Sequence, residues 1–538
     1  MVRSRRYFVS DRGVVVLYFS RLSSFFHSQI LPPMKKIHGL LLLIAILLLA
    51  SCATPSLPAT PAAPAPTATS APAPAANEAI TLTVLYTNDE HGWFMGKKEG
   101  QGAANMMGLW QEKFGYDAAD SRFIALSGGD NWTGPAASTW FKGESMVDVM
   151  NAMGYDASAV GNHEFDFGLN ELKLRAQQAD FPYLAANLHN KSDGKVPTNL
   201  GVKPYVILDA GGVKVGVIGL ANVGTPKVTN PANVSGFDFA PYVETLQEVV
   251  PQARADGADI ILVPSHLCNE ELRRLAPKVK ALDITLFGGG HCHQILDEKA
   301  GGAVLLASGS YLQNFAWATI SYDPATKEAR VTDDGVEPNA GGRADAAVAA
   351  IAQKWQDEAD AALSDPIGYL AETIPQRSKT MQALITETWL LGYPNADVAI
   401  TNLGGMRDDL PAGPVSMASI ISVMPFDNVL IDVKLTGAQL REVISGQEGR
   451  AAVGGMHRKG MGWVLNKSGE PLADDAVYHV LVNDFMYAGG DHYDLLAEAD
   501  PQAYNTSIDW RQPLVDWIIA QNSTPEKPLD EAIGRLGD

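Results

Sequence analysis

The sequence predicts an α/β protein in two folded halves, and three observations carry that reading. Its 538 residues are too many for one hydrophobic core. Short apolar runs with strand character recur in the first half, and five of them end in polar clusters rich in Asp, Asn and His. Helical stretches separate several of these runs, at Gly143 to Met153, Tyr242 to Ala255 and Asn269 to Leu282. Strands with intervening helices build α/β sheets, whose sites gather beyond the carboxyl ends of the strands. With 46% hydrophobic and 19% charged residues the profile is that of an ordinary soluble chain. A formal charge of -20 argues against nucleic acid as a partner, which wants a basic face. Phosphate remains open as a ligand class, because metals or local arginines can supply positive charge.

The N-terminal region reads as an address and a tether. Met34-Lys35-Lys36 opens a basic segment, and Leu40 to Ala50 is an apolar run too short to span a bilayer. That suits the core of a signal peptide, residues 34–52, with residues 1–33 an upstream extension. The run ends in Leu49-Ala50-Ser51-Cys52, which resembles a bacterial lipobox, where Cys52 carries a lipid anchor. A plain signal peptide with an incidental Cys is the alternative. Residues 53–78, mostly Ala, Pro and Thr, cannot build a core and read as an extended tether.

The first folded half, residues 79–335, carries the polar clusters. Ile80 to Tyr86 alternates like a strand and runs into Asn88-Asp89-Glu90-His91-Gly92; in extended chain Asp89 and His91 face one side and can reach one ion. Phe123 to Leu126 leads to Gly128-Gly129-Asp130. Ala157 to Val160 precedes Gly161-Asn162-His163-Glu164-Phe165-Asp166, where an amide can ligate a metal, His163 can meet a charged substrate and Asp166 can orient that ring. Asp259 to Val263 leads to Ser265-His266, and Ile284 to Phe287 leads through three glycines to His291-Cys292-His293. One such cluster alone reads equally as a loop capping a helix. Five in the same structural place, all of ligand chemistry, point to one metal site.

In their order, Asp89-x-His91, Gly129-Asp130, Gly161-Asn162-His163-Glu164, Ser265-His266 and Gly290-His291-x-His293 resemble the calcineurin-like metallophosphoesterases, in the form of the 5'-nucleotidase branch. The resemblance implies an N-terminal β-sandwich flanked by helices and a smaller C-terminal α/β nucleotidase domain. It also implies two divalent ions, Zn or Mn by ligand chemistry, bridged by Asp130. Asp89, His91 and His293 would complete one shell, and Asn162, His266 and His291 the other. His163, held by Asp166, would act on the phosphoryl group from outside both shells.

An Ala-rich stretch, residues 336–365, reads as a linker helix between the halves, with a hinge placed near it. Residues 366–538 then look α/β again. There the runs Asn402-x-Gly404-Gly405-x-Arg407, Pro425-Phe426-x-Asn428 and Phe485 to Tyr493 resemble the family's nucleotidase domain. By that resemblance Phe426 and Phe485 stack on a base, Asp491 meets the ribose, and Arg407, Asn402 and Arg377 meet the phosphate. Either Phe would otherwise read as ordinary core. Where relatives show an Arg-Glu-x-x-x-Gly-Asn run, the chain reads Arg377-Ser378-Lys379-Thr380-Met381-Gln382-Ala383, so only the Arg carries over.

The expectation is an extracytoplasmic, lipid-anchored 5'-nucleotidase of a bacterial membrane, acting on nucleoside monophosphates, with cyclic nucleotides and nucleotide sugars as further candidates. A thiosulfohydrolase shares the architecture, and a tethered solute-binding protein would also be two-lobed. A bridge between Cys268 and Cys292 would brace the two His loops, but free buried thiols are the preferred reading, because imidazoles reaching one ion from opposite sides can leave backbones beyond the ~7 Å that a disulfide tolerates.

Overall fold

The computed structural model describes residues 78–536. Cys52, the signal segment, the upstream extension and the tether up to residue 77 lie outside the described residues. Residues 80–338 form a sandwich of two sheets, three residues past the bound of 335 expected from sequence. The seven-stranded sheet runs in space Glu328–Pro338, Asn314–Asp323, Ile80–Thr87, Phe123–Ser127, Ala157–Ala159, Tyr183–Leu184, Val202–Lys203. The six-stranded sheet runs Ile295–Ala300, Ala303–Ser308, Leu286–Gly288, Ile260–Pro264, Val213–Ile218, Tyr205–Ala210.

Alternation along the strands explains the layering. Leu82, Val84 and Tyr86 point into the sandwich, against Val215, Val217 and Leu262 of the other sheet. Leu85 points outward instead, onto the helical layer containing Trp110 and Met150. On the far side, Ile261 and Val263 meet Leu246, Val250 and Leu272. The central strands are parallel within each sheet, Ile80–Thr87 to Phe123–Ser127 to Ala157–Ala159, and Val213–Ile218 to Ile260–Pro264 to Leu286–Gly288. Their carboxyl ends therefore fall on a common edge, which is where the five polar clusters were expected.

The C-terminal half is a five-stranded sheet, in order Ala451–Gly454, Val398–Asn402, Val477–Asn483, Val429–Thr436, Tyr504–Asp509. Successive residues alternate between two cores. Ala399, Leu430 and Leu481 pack toward Trp389 and Trp510, whereas Val398, Ile431 and Val480 pack toward Leu440 and Tyr493.

The linker helix is Ala346–Leu363, capped by the Asp345 carboxylate, which accepts from the amides of Ala347 (2.9 Å) and Val348 (3.0 Å). It is not a free connector. Val348, Ala352, Trp355 and Ala359 fall on one helical face and enter the N-terminal half's core beside Trp110 and Met146. The helix thus belongs to the first half, and the change of direction falls after it, at Ser364-Asp365, before the strand Pro366–Leu370. The halves meet through a small buried cluster of Ala136, Leu363 and Ile421, and through ion pairs Lys97–Asp408 (3.7 Å) and Lys227–Asp494 (2.6 Å).

Trp355 anchors the helix: its ring stands edge-on to Phe141 at 4.8 Å and its indole N–H donates to Asp148 at 3.1 Å. Trp355→Ala should therefore cost about 3–5 kcal/mol, read as a lowered urea midpoint. An unchanged midpoint would mean that the helix is not part of that core.

Candidate active site

All seven proposed metal ligands converge at the common strand edge. Five of them, Asp89, His91, Asp130, His291 and His293, have positive φ, from 47° to 69°. Each such non-glycine residue costs on the order of 1–3 kcal/mol and persists where the surroundings over-determine it, which happens chiefly at functional sites. Asp89 and His91 thus reach one side through left-handed turns, not as alternate residues of extended chain.

The side chains form two cups sharing Asp130. In the first, His293 Nε2 lies 3.1 Å from His91 Nε2 and 3.3 Å from Asp89 Oδ1. In the second, His266 Nε2 lies 2.9 Å from Asp130 Oδ2, 3.2 Å from Asn162 Oδ1 and 3.2 Å from His291 Nδ1. His91 Nε2 stands 3.9 Å from Asp130 Oδ2, which closes the bridge.

These groups fit divalent metal. His91 Nδ1 faces the carbonyl of Thr133 (2.8 Å) and His266 Nδ1 that of Gly128 (2.9 Å). A carbonyl only accepts, so each Nδ1 carries its proton and each Nε2 is the atom turned inward, free to give a lone pair to a metal. Lone pairs facing carboxylate and amide oxygens at about 3 Å need positive charge between them. The same field shows in the pKa values. Burial opposes a charge on His266, yet Asp130 pulls its pKa up to about 10, while burial and then His266 push His291 down to about 4.

Three residues to which sequence reasoning gave no role hold this arrangement. The Glu164 carboxylate accepts from the backbone amides of Asp130 (2.9 Å), Asn131 (2.7 Å) and Gly161 (2.6 Å). Glu90 accepts from Ser127 Oγ (2.9 Å), Asn131 Nδ2 (2.8 Å) and the Thr87 hydroxyl. Burial pushes both carboxyls up to about 7. Gly161 is obligatory, since a Cβ there would lie 2.2 Å from Asp130 Oδ1. The signal available in the sequence was Glu90 and Glu164 sitting inside ligand motifs, each flanked by a ligand or its neighbour.

His163 stands beside the cups. Its Nδ1 is 2.6 Å from Asp166 Oδ2, its Nε2 is 3.9 Å from Asp130 Oδ2, and its backbone amide donates to Asp130 Oδ1 at 2.8 Å. Thr133 (2.8 Å) and Thr229 (3.1 Å) donate to Asp166 in turn. Burial works against a charged ring, but Asp166 and Asp130 outweigh it and raise the His163 pKa.

The C-terminal half closes the same cleft. Asn402, Arg407, Phe426, Phe485 and Asp491 line it together with Asn162, His163, His291 and His293. Phe426 lies nearly parallel to the His163 ring, 5.8 Å away and inclined by 18°. Arg407 brings Nη2 to 3.4 Å from His91 Nε2. Asn402 donates to Asp491 (2.7 Å) and accepts from Asn483 (3.0 Å), and burial raises the Asp491 pKa. Arg377 does not line the cleft. It sits on a turn with positive φ (58°), its surface partly open to solvent but its guanidinium shielded enough that desolvation, and then the like charge of Arg407, lower its pKa.

The cysteines correct the sequence reading. Cys268 and Cys292 are bridged, with Cα atoms 5.1 Å apart, and Cys292 is exposed. The reason is local: the amide of Gly290 donates to the carbonyl of Leu267 at 2.9 Å, so the two ligand loops run side by side instead of facing each other across an ion.

Asp130 is the carboxylate that both cups share, so Asp130→Asn should lose both metals, where His293→Ala loses one. His163→Ala should keep both, as counted by elemental analysis, and lose rate. Metal loss in step with activity in the His163 variant would contradict its place outside both cups.

Residues 363–498 match the model of the 5'-nucleotidase C-terminal domain. A 5'-nucleotidase of Vibrio cholerae is 26% identical over 511 residues, covering 83% of this chain and 92% of that protein. In structure, a 5'-nucleotidase precursor from Thermus thermophilus superposes with a TM-score of 0.69 at 22% identity, covering 82% of this chain and 97% of that one. A sulfate thiohydrolase SoxB from the same organism shares the fold, with a TM-score of 0.65 at 17% identity over 82% and 94% of the two chains. Two sheets around a His and Asp cluster, joined to a region that matches the 5'-nucleotidase C-terminal domain, make the chain similar to 5'-nucleotidases over most of its length.

Proposed function

We propose that this protein is a 5'-nucleotidase that releases phosphate from nucleoside 5'-monophosphates outside the cytoplasm. It is a metal-dependent phosphoric monoester hydrolase. The observation that carries the nucleotide reading is one cleft holding both metal cups, the His163–Asp166 pair, a guanidinium and two aromatic rings. Two divalent ions, Zn or Mn by ligand chemistry, would be held by Asp89, His91, Asp130, Asn162, His266, His291 and His293. When bound they supply Lewis acidity toward the phosphoryl group and the attacking water.

The chain's own groups do the rest. With Nδ1 fixed to Asp166, His163 keeps Nε2 for a phosphoryl oxygen or the leaving alkoxide, and the carboxylates of Asp166 and Asp130 raise its pKa, which favours the protonated ring. Arg407 offers a charge-assisted hydrogen bond to phosphate. Phe426 and Phe485 offer faces to a base, and Asp491, aligned by Asn402, accepts from ribose hydroxyls. Cyclic nucleotides and nucleotide sugars are further candidate substrates, since they present the same phosphate and nucleoside. The intact Asn162-His163 pair and both phenylalanines favour nucleotides over thiosulfate esters. Lipid anchoring at Cys52 would place the enzyme at a membrane surface, and a disulfide at Cys268–Cys292 suits that oxidising side.

Phe426→Ala and Phe485→Ala should raise KM for AMP by about tenfold or more, the loss of a base stack worth ~1–3 kcal/mol, and leave p-nitrophenyl phosphate turnover near wild type. Equal losses on both substrates would count against the base cradle, and absence of metal-dependent AMP turnover against the function.

Cys52→Ser should abolish the membrane partition of the expressed full chain. Wild-type protein found wholly soluble, with an N-terminus other than residue 52, would exclude the anchor.

A further inference from the structure

We propose that the Cys268–Cys292 bridge is a positioning element for the metal centre, a clamp that sets retention of the ion in the His266–His291 cup. The inference rests on the dimetal reading above and concerns residues to which that reading gives no role. Cys268 lies two residues after His266, and Cys292 lies between His291 and His293. The one covalent cross-link among the described residues therefore joins the loops that supply two ligands of the same cup.

The turn it holds is an unusual one. Between the strands Leu286–Gly288 and Ile295–Ala300 the chain must send two histidines, one residue apart, toward different ions. His291 Nδ1 meets His266 Nε2 at 3.2 Å, while His293 Nε2 meets His91 Nε2 at 3.1 Å. Both take left-handed backbone, with φ of 69° and 54°. Such conformations relax unless their surroundings fix them. Two restraints act here besides the bridge. Gly290 N donates to Leu267 O (2.9 Å), and His291 N donates to the Asp89 carboxylate (3.0 Å). Both are hydrogen bonds at a loop whose Cys292 is exposed, so neither prevents the loops from separating by local opening. The bridge does, and it closes a loop with a sequence separation of 24.

Exposure of Cys292 also makes the clamp reversible. A phosphine attacks one sulfur and the S–S bond breaks. Water takes the phosphorus, giving phosphine oxide, and its two protons leave both cysteines as thiols. Two electrons pass from phosphorus to sulfur, which balances the step.

The test compares wild type with the Cys268→Ser/Cys292→Ser double variant by titrating metal-free protein with Mn2+ and counting free ion by its paramagnetic resonance. Loss of the clamp should weaken one of the two sites on the order of 10–100-fold, the usual cost of removing a group that orients a ligand, and leave the other within about threefold. Saturating Mn2+ should restore the variant's rate on p-nitrophenyl phosphate. Should the variant fail to fold, phosphine-reduced wild type, freed of reductant under anaerobic conditions and checked by thiol counting, takes its place and must show the same split. Unchanged affinity at both sites, or equal weakening of both alongside a lower thermal midpoint, would overturn the clamp. Because the readout is metal retention, failure here leaves the nucleotidase reading standing. A wild type that binds no Mn2+ at all would defeat both.

Discussion

The buried carboxylate of Glu164 is the constraint on which the metal centre depends. It collects three backbone N–H groups from two neighbouring strand ends, those of Asp130, Asn131 and Gly161. A buried carboxylate without partners is costly, and one that accepts several amides becomes a rigid node. This node ties the turn after Phe123–Ser127 to the turn after Ala157–Ala159, and so fixes Asp130 against Asn162 and His163. Gly161 must then lack a side chain, because the turns are pressed together at van der Waals limits. Glu90 repeats the device one strand over, through Ser127 and Asn131. Two acidic groups that touch neither cup thus hold the backbone that shapes both.

That backbone is strained, and the strain has a use. A cup of neutral imidazoles and oxygens repels itself until a cation arrives, so the side chains would separate if their main chain were free to relax. Left-handed turns at five ligands, held by amide-to-carboxylate bonds and by the Cys268–Cys292 bridge, keep them converged beforehand. Pre-organisation of this kind lets binding energy go to the ion instead of to folding the loops.

The second half contributes cleft-lining groups that the sandwich lacks. Arg407 and Phe426 reach to within a few ångströms of His91 and His163. The cleft between the halves therefore combines a floor of His, Asp and Asn groups with a wall that brings a guanidinium, aromatic rings and a carboxylate. Away from the cleft, the halves meet through the small Ala136, Leu363 and Ile421 cluster and two ion pairs, one of them exposed. Coupling of this kind suits a cleft that must open to exchange its ligand.

The sequence by itself determined the chemistry. Motif residues carry their donor types wherever the chain goes, and strand periodicity placed the first half's clusters at strand ends; the resemblance added the C-terminal groups, and the structure brings the clusters and five of those six groups to one cleft. Contacts between distant segments were not, because they depend on register and loop path. The Ala-rich helix looked like a connector until packing showed Trp355 inside the first core. Arg377 shares a domain with Arg407 and lies near enough to feel its charge, yet it is not among the residues that line the cleft. For the cysteines free thiols were the preferred reading over a bridge, because their histidines were pictured on opposite sides of an ion. Only tertiary structure, through the Gly290 to Leu267 hydrogen bond, decided that the loops run together and brought the two sulfurs within bonding reach.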